Sequence, residues 1–138
     1  MQQIYELSLT PTYVSDCDFN MAIRELIQNG IDQQTINPKA TFSMEFIPYT
    51  DGISGTIRFT NKQSRLKVNT LLLGCTSKED DTLTVGQFGE GYKIASLVLN
   101  RLGKAFTIYN NMENEIWIAR FKNSKKWHGK ILAFFVAR

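Results

Sequence analysis

Arg24-Glu25-Leu26-Ile27-Gln28-Asn29-Gly30-Ile31-Asp32 and, further along, Gly86-Gln87-Phe88-Gly89-Glu90-Gly91-Tyr92-Lys93 carry most of the information in this sequence. The first stretch has the periodicity of an amphipathic helix, with Phe19, Ile23, Leu26, Ile27 and Gly30 on one side. At about 100° per residue, Glu25, Asn29 and Asp32 share an arc of roughly 60° away from the Leu26/Ile27/Ile23 stripe. One side packs and the other presents two carboxylates and an amide. Oxygen donors of this kind suit Mg²⁺, which keeps several waters and takes few protein groups. A carboxylate beside a terminal phosphate is also placed to deprotonate an attacking water.

The second stretch reads as a glycine-rich turn opening another helix. Gly86, Gly89 and Gly91 remove side chains where backbone N–H groups must approach an anion, and they permit positive φ. The following helix offers the positive end of its dipole to phosphate. Lys93 is expected in the first turn, where a cation is electrostatically misplaced unless an anion lies nearby. Such glycine runs also occur as plain turns, and polar helix faces as plain solvated surfaces. Between the two stretches, Gly74-Cys75-Thr76-Ser77-Lys78 supplies hydroxyls and a lysine that suit a lid over phosphates.

Outward from these stretches, residues 4–14 read as a strand with a bend or edge at Pro11. Ser15, Asp16 and Asp18 start a helix that runs to about Gln34 and stops at Asn37-Pro38. Residues 41–49 and 55–60 form a β-hairpin about Asp51-Gly52. Residues 61–85 show no regular pattern, and 92–102 turn helical, with Gly103 as the helix-ending glycine. Three strands close the chain at 105–109, 115–121 and 130–136. The order β-α-β-β-loop-α-β-β-β predicts an α+β two-layer sandwich, a mixed or antiparallel sheet with helices on one face.

The 138 residues fit one domain, 1–138, and 43% hydrophobic with 12% aromatic content excludes a disordered chain. No run approaches the roughly 20 apolar residues of a membrane span, and Met1–Glu6 has no signal-peptide character. Cys17 and Cys75 are too few for a disulfide framework and lack metal spacing, so a reduced cytoplasmic protein is expected. Charge runs from −4 in residues 1–50 to +6 in residues 101–138. Arg120, Lys122, Lys125, Lys126 and Lys130 interleave with Trp117, Phe121 and Trp127, a pattern that marks either a nucleic-acid surface or a solvated hairpin with its aromatics in the core.

Taken together and in this order, the two stretches resemble the ATP site of the GHKL superfamily, the Bergerat-fold ATP-binding domains of gyrase B, ninety-kilodalton heat-shock chaperones, histidine kinases and MutL. Glu-Leu-Ile-x-Asn-x-x-Asp is similar to that superfamily's N-box, and Gly-Gln-Phe-Gly-x-Gly to its glycine box. The resemblance implies Glu25 as general base, Asn29 as Mg²⁺ ligand and Asp32 as a neighbour of the nucleotide. It implies that Gly86, Gln87, Phe88, Gly89 and Gly91 wrap the phosphates with Lys93, and that Thr76, Ser77 and Lys78 belong to the lid.

The chain departs from the family at its adenine-binding motif, Asp-x-Gly-x-Gly. The corresponding position is Asn61, followed by no glycines, and an asparagine carbonyl still accepts from an adenine amino group. Gly129-Lys130 stands where the family has Gly-Thr. In this the chain resembles GHKL-like proteins of phage and prokaryotic genomes. The resemblance implies Mg-ATP binding with slow hydrolysis by a minimal or shortened domain. Two alternatives stay open: a non-hydrolysing, nucleotide-gated module for a protein partner, and a nucleic-acid-binding domain using the basic C-terminal region. The oligomeric state is open as well.

Overall fold

A computed structural model describes residues 2–71 and 85–138. Strand β1 (Gln2–Glu6), helix α1 (Phe19–Ile36), strands β2 (Phe42–Pro48) and β3 (Gly55–Asn61), helix α2 (Val85–Arg101) and strands β4 (Phe106–Asn110), β5 (Glu115–Ser124) and β6 (Gly129–Ala137) follow in order. Among the described residues the strands and the two main helices follow in the expected order, and the α+β two-layer class is found. The strands form two antiparallel sheets, a four-stranded one in the order β1-β6-β5-β4 and the separate hairpin β2-β3.

The two layers meet on α2. Tyr92 presents its edge to Phe134 at 5.8 Å between ring centroids and leans on Trp117 at 6.3 Å, while Trp117 and Phe134 pack edge to face at 6.2 Å. Trp117 and Phe134 are fully buried, on neighbouring strands of the same sheet face. Leu97, Leu132 and Val136 complete this cluster. The helices run antiparallel: Ala22 clusters with Ala95, Val98 and Leu99, while seven residues on Asn29 lies against Gly91. Small side chains at Ala22 and Ala95 let the two backbones come close.

Local signals explain the element ends. Asp18 caps α1, its Oδ1 accepting from the Met21 N–H at 2.9 Å. Gly103 follows α2 at φ +81°, as expected of a helix-ending glycine. In the hairpin turn Gly52 takes φ +73°, and Asp51 accepts from the N–H groups of Ile53 and Ser54 and the Ser54 hydroxyl.

Three expectations change. The first strand ends at Glu6 instead of running to residue 14; Leu7 and Leu9 still exchange hydrogen bonds with Leu132 before the chain turns away. The segment that follows is held from α2, whose Arg101 guanidinium donates to the carbonyls of Pro11, Tyr13, Val14 and Cys17 at 2.8–3.1 Å. Phe19 is 38% exposed, because the α2-facing side of α1 is taken by Ala22 and Leu26. The hairpin does not extend the larger sheet but rests on α1. The Phe42 ring occupies the space where Gly30 has no side chain, and stacks against Phe59 with centroids 6.5 Å apart.

Two consequences are measurable. Gly30→Ala gains up to ~1 kcal/mol of helix propensity but drives a methyl into the Phe42 ring, an overpacking cost of about 1–3 kcal/mol, so urea unfolding is expected to show net destabilisation. Hydrogen bonds from Lys122 and Ser124 hold the Glu6 carboxyl below its ordinary value of 4.5, and those from Ser54 and Ile53 hold Asp51 below 3.8. A lowered carboxyl contributes stability that is complete above the unfolded value and is lost as pH falls through the folded one. The melting temperature is therefore expected to be level near neutrality and to decline below about pH 4, less steeply in Glu6→Gln.

Candidate functional site

The side of α1 that carries Glu25 and Asn29 flanks α2. Asn29 is half-buried, and a Cβ built on Gly91 would stand 2.7 Å from its Oδ1. The helices cross there because position 91 has no side chain and position 29 has a short polar one. One turn earlier, Glu25 is exposed and borders a shallow cavity of about 310 Å³ between the helices, with Cys17, Met21, Gln28, Ile94 and Val98. One turn later, the half-buried Asp32 accepts a 2.8 Å hydrogen bond from Gln28 Nε2.

Asn61 joins this region from the other side. Its Nδ2 donates to the carbonyls of Gly30 at 3.0 Å and Ala40 at 2.9 Å. Two carbonyls at one end of the amide fix its orientation and leave its own oxygen as an acceptor. Gly30 is adjacent in sequence to Asn29, so the residue expected at adenine and the residue expected at the metal flank one turn of α1. Asn29 and Gly91 meet at the crossing, Glu25 lies one turn before Asn29 and Asn61 is tied to the next residue, Gly30, whereas Asp32 is engaged along its own helix.

The glycine stretch differs from its sequence reading. It is not a turn ahead of a helix, because α2 begins at Val85 and the backbone of Gly86, Gln87, Phe88 and Gly89 is already helical. Gly91 is helical too, and close approach of Asn29, not positive φ, accounts for its missing side chain. The unpaired N–H groups that open any helix include here those of residues 85–87, at the edge of the segment expected to meet phosphate. Gly91 stands about 9 Å further along the axis.

Lys93 consequently lies in the third turn of α2, not the first. It is 3% exposed, and its ammonium donates to the Thr70 carbonyl. The Thr70 hydroxyl in turn shares a 2.8 Å hydrogen bond with the Tyr92 hydroxyl. Thr70 carries no signal in the sequence, since it sits in an irregular stretch where one threonine looks like any other. Thr76, Ser77, Lys78 and Cys75 lie outside the described residues.

The basic C-terminal residues divide between core and surface. Trp117 is fully buried and Phe121 packs on the core, while Trp127 is 44% exposed. A second polar group that sequence reading missed is Glu115, 5% exposed, which accepts from Trp117 Nε1 at 2.9 Å and Asn110 Nδ2 at 3.2 Å and pairs with Arg138 at 2.6 Å. Asn110 also bonds both backbone groups of Leu66, tying the chain after β3 to the sheet. Among the described residues no three His, Cys, Asp or Glu side chains gather as a metal cage. No described helix is long and apolar enough to cross a membrane.

Comparison with protein-family models, curated proteins and solved structures yields no match.

Gly91→Ala tests what this geometry does. The new methyl meets the Asn29 amide and must displace it, while the helix gains up to ~1 kcal/mol of propensity. Unfolding free energy is expected to change by less than ~1 kcal/mol. The Asn29 side-chain NH₂ resonances, assigned by NMR, are expected to shift strongly.

Proposed function

We propose that this chain is a GHKL-type domain that binds Mg-ATP and hydrolyses it slowly. The observation that carries the reading is the meeting of the Asn29 amide with the backbone of Gly91. It joins the two sequence stretches whose pairing motivated the resemblance. Helix packing alone can bring a glycine to a crossing; the support for the reading is that the residues meeting there, Asn29 and Gly91, are the ones the resemblance pairs.

The donor set suits the ligand. A single side-chain amide oxygen fits a cation that takes one or two protein oxygens and completes its shell with phosphate and water. Asn29 Oδ1 would hold Mg²⁺, which when bound neutralises charge on the phosphates. The amides opening α2 face the phosphates, and Lys93, held at the Thr70 carbonyl, adds positive charge beneath them. The Asn61 carbonyl oxygen accepts from the adenine amino group while its NH₂ secures Gly30 and Ala40. Glu25, exposed one turn from Asn29, takes a proton from the attacking water. The resemblance would assign Thr76, Ser77 and Lys78, which lie outside the described residues, to phosphate contact, and Asp32 to the nucleotide side of α1. A cytoplasmic setting, with Cys17 as a free thiol, accompanies this ligand.

Two variants separate the roles. Asn29→Ala is expected to weaken binding of a fluorescent ATP analogue by about 10- to 100-fold or more, the range seen when groups supporting a metal are lost. Glu25→Gln is expected to keep binding and to lower turnover by about 10²- to 10⁴-fold. Undiminished binding by the Asn29 variant would overturn the assignment. Tight binding by the unaltered chain without turnover would select a nucleotide-gated interaction module over an ATPase.

A further inference from the structure

The helices leave one chemical feature of the sequence unused, the cationic end of the β5–β6 hairpin. Residues 120–130 hold five Lys or Arg and no acidic residue. β5 and β6 pair as far as Ser124 and Gly129, so Lys125, Lys126, Trp127 and His128 form the tip. All four are exposed. The Trp127 indole is 44% exposed with the Lys126 ammonium 5.1 Å from its ring centroid. On the sheet face opposite the helices, the exposed Arg120 guanidinium lies 5.0 Å over the Phe135 ring. At 3.3 Å per residue, Arg120 is roughly 17 Å of strand from the start of the tip. Among the described residues, no carboxylate forms an ion pair with Arg120, Lys125, Lys126 or Lys130, while Lys122 is engaged by Glu6.

This tip is held from beneath. Ser124 is 5% exposed; its hydroxyl donates to Glu6 Oε1 at 2.6 Å and accepts from the Trp127 N–H at 3.2 Å. Lys122 donates to the other Glu6 oxygen at 2.5 Å. One carboxylate from β1 therefore fixes both the last residue of β5 and the turn that displays the indole. The exposed tryptophan is presented on an ordered turn.

We infer that the β5–β6 tip and the adjoining outer sheet face bind single-stranded nucleic acid. Unpaired cations meet the phosphates, and the exposed Trp127 indole, with the Arg120 guanidinium lying over Phe135, offers planar groups for bases to stack on. A duplex keeps its base faces covered, and an anionic lipid surface supplies charge without rings to stack. Single strands alone satisfy both halves of the chemistry. The surface lies on β5 and β6 and uses no residue of α1 or α2, so it stands or falls apart from the nucleotide reading.

Trp127 fluorescence is the direct probe, because the only other tryptophan, Trp117, is fully buried. Titration with oligothymidylate at low salt is expected to quench the exposed indole, with affinity falling as salt rises. Lys125→Gln/Lys126→Gln is expected to weaken anisotropy-detected binding about tenfold and to reduce the salt slope by about 1.4, roughly 0.7 per cation removed. Trp127→Ala is expected to weaken it by about tenfold as well, through lost stacking. The lysine variant should keep its melting temperature and its affinity for Mg-nucleotide. Absence of quenching, oligothymidylate binding indifferent to Trp127→Ala, or tighter binding to duplex DNA or to phosphatidylserine vesicles would each overturn the inference.

Discussion

The close crossing of α1 on α2 is the contact on which the rest of the molecule depends. It is possible because Ala22, Ala95 and Gly91 keep side chains out of the gap. α2 is anchored to the four-stranded sheet by Tyr92 against Trp117 and Phe134, so the crossing transmits the position of the sheet to α1. α1 in turn carries the hairpin through the Gly30–Phe42 contact and the Asn61 amide. Apart from this crossing, α1 and the hairpin are tied to the main core through Leu26, Arg101 and the Leu66–Asn110 link. Arg101 reinforces the crossing by drawing the segment before α1 onto the end of α2.

The half-buried Asn29 puts a polar amide at this crossing. Alanine or serine at position 29 would let the helices meet as closely without a side-chain amide at the interface. The proposed nucleotide site gives that amide a ligand and gives Asn61 a reason to keep its carbonyl oxygen unspent. The same groups still perform structural work. Asn61 joins β3 to α1 and to Ala40, and Lys93 caps the Thr70 carbonyl. On the proposed function, binding and stability would be coupled at these positions, and Asn29 and Glu25 would be the places where binding is altered with least damage to the fold.

Much of the architecture was legible in the sequence because local chemistry decided it. Asp18, Asp51-Gly52 and Gly103 each act through their own backbone neighbourhood, and the structure uses them as expected. What depended on distant partners was not legible. Nothing near Glu6 signals that β1 stops there, because the stop depends on how the segment after it is gathered by Arg101, far along the chain. The purpose of Gly30 depends on Phe42, and that of Gly91 on Asn29. Glycines at 86, 89 and 91 read as a turn because helix interiors usually avoid them; here the helix runs through them. Lys93 reads as a first-turn cation facing phosphate; the helix start at Val85 puts it in the third turn instead, and its tertiary partner Thr70 makes it buried. For the candidate site, the convergence of Glu25 and Asn29 with Gly91 was foreseeable in type but not in geometry.

The most direct measurement is calorimetric titration of the whole chain with a non-hydrolysable ATP analogue, in the presence and absence of Mg²⁺. The account requires saturable one-to-one binding that strengthens markedly with Mg²⁺. No heat up to millimolar nucleotide, or binding indifferent to Mg²⁺, would contradict it.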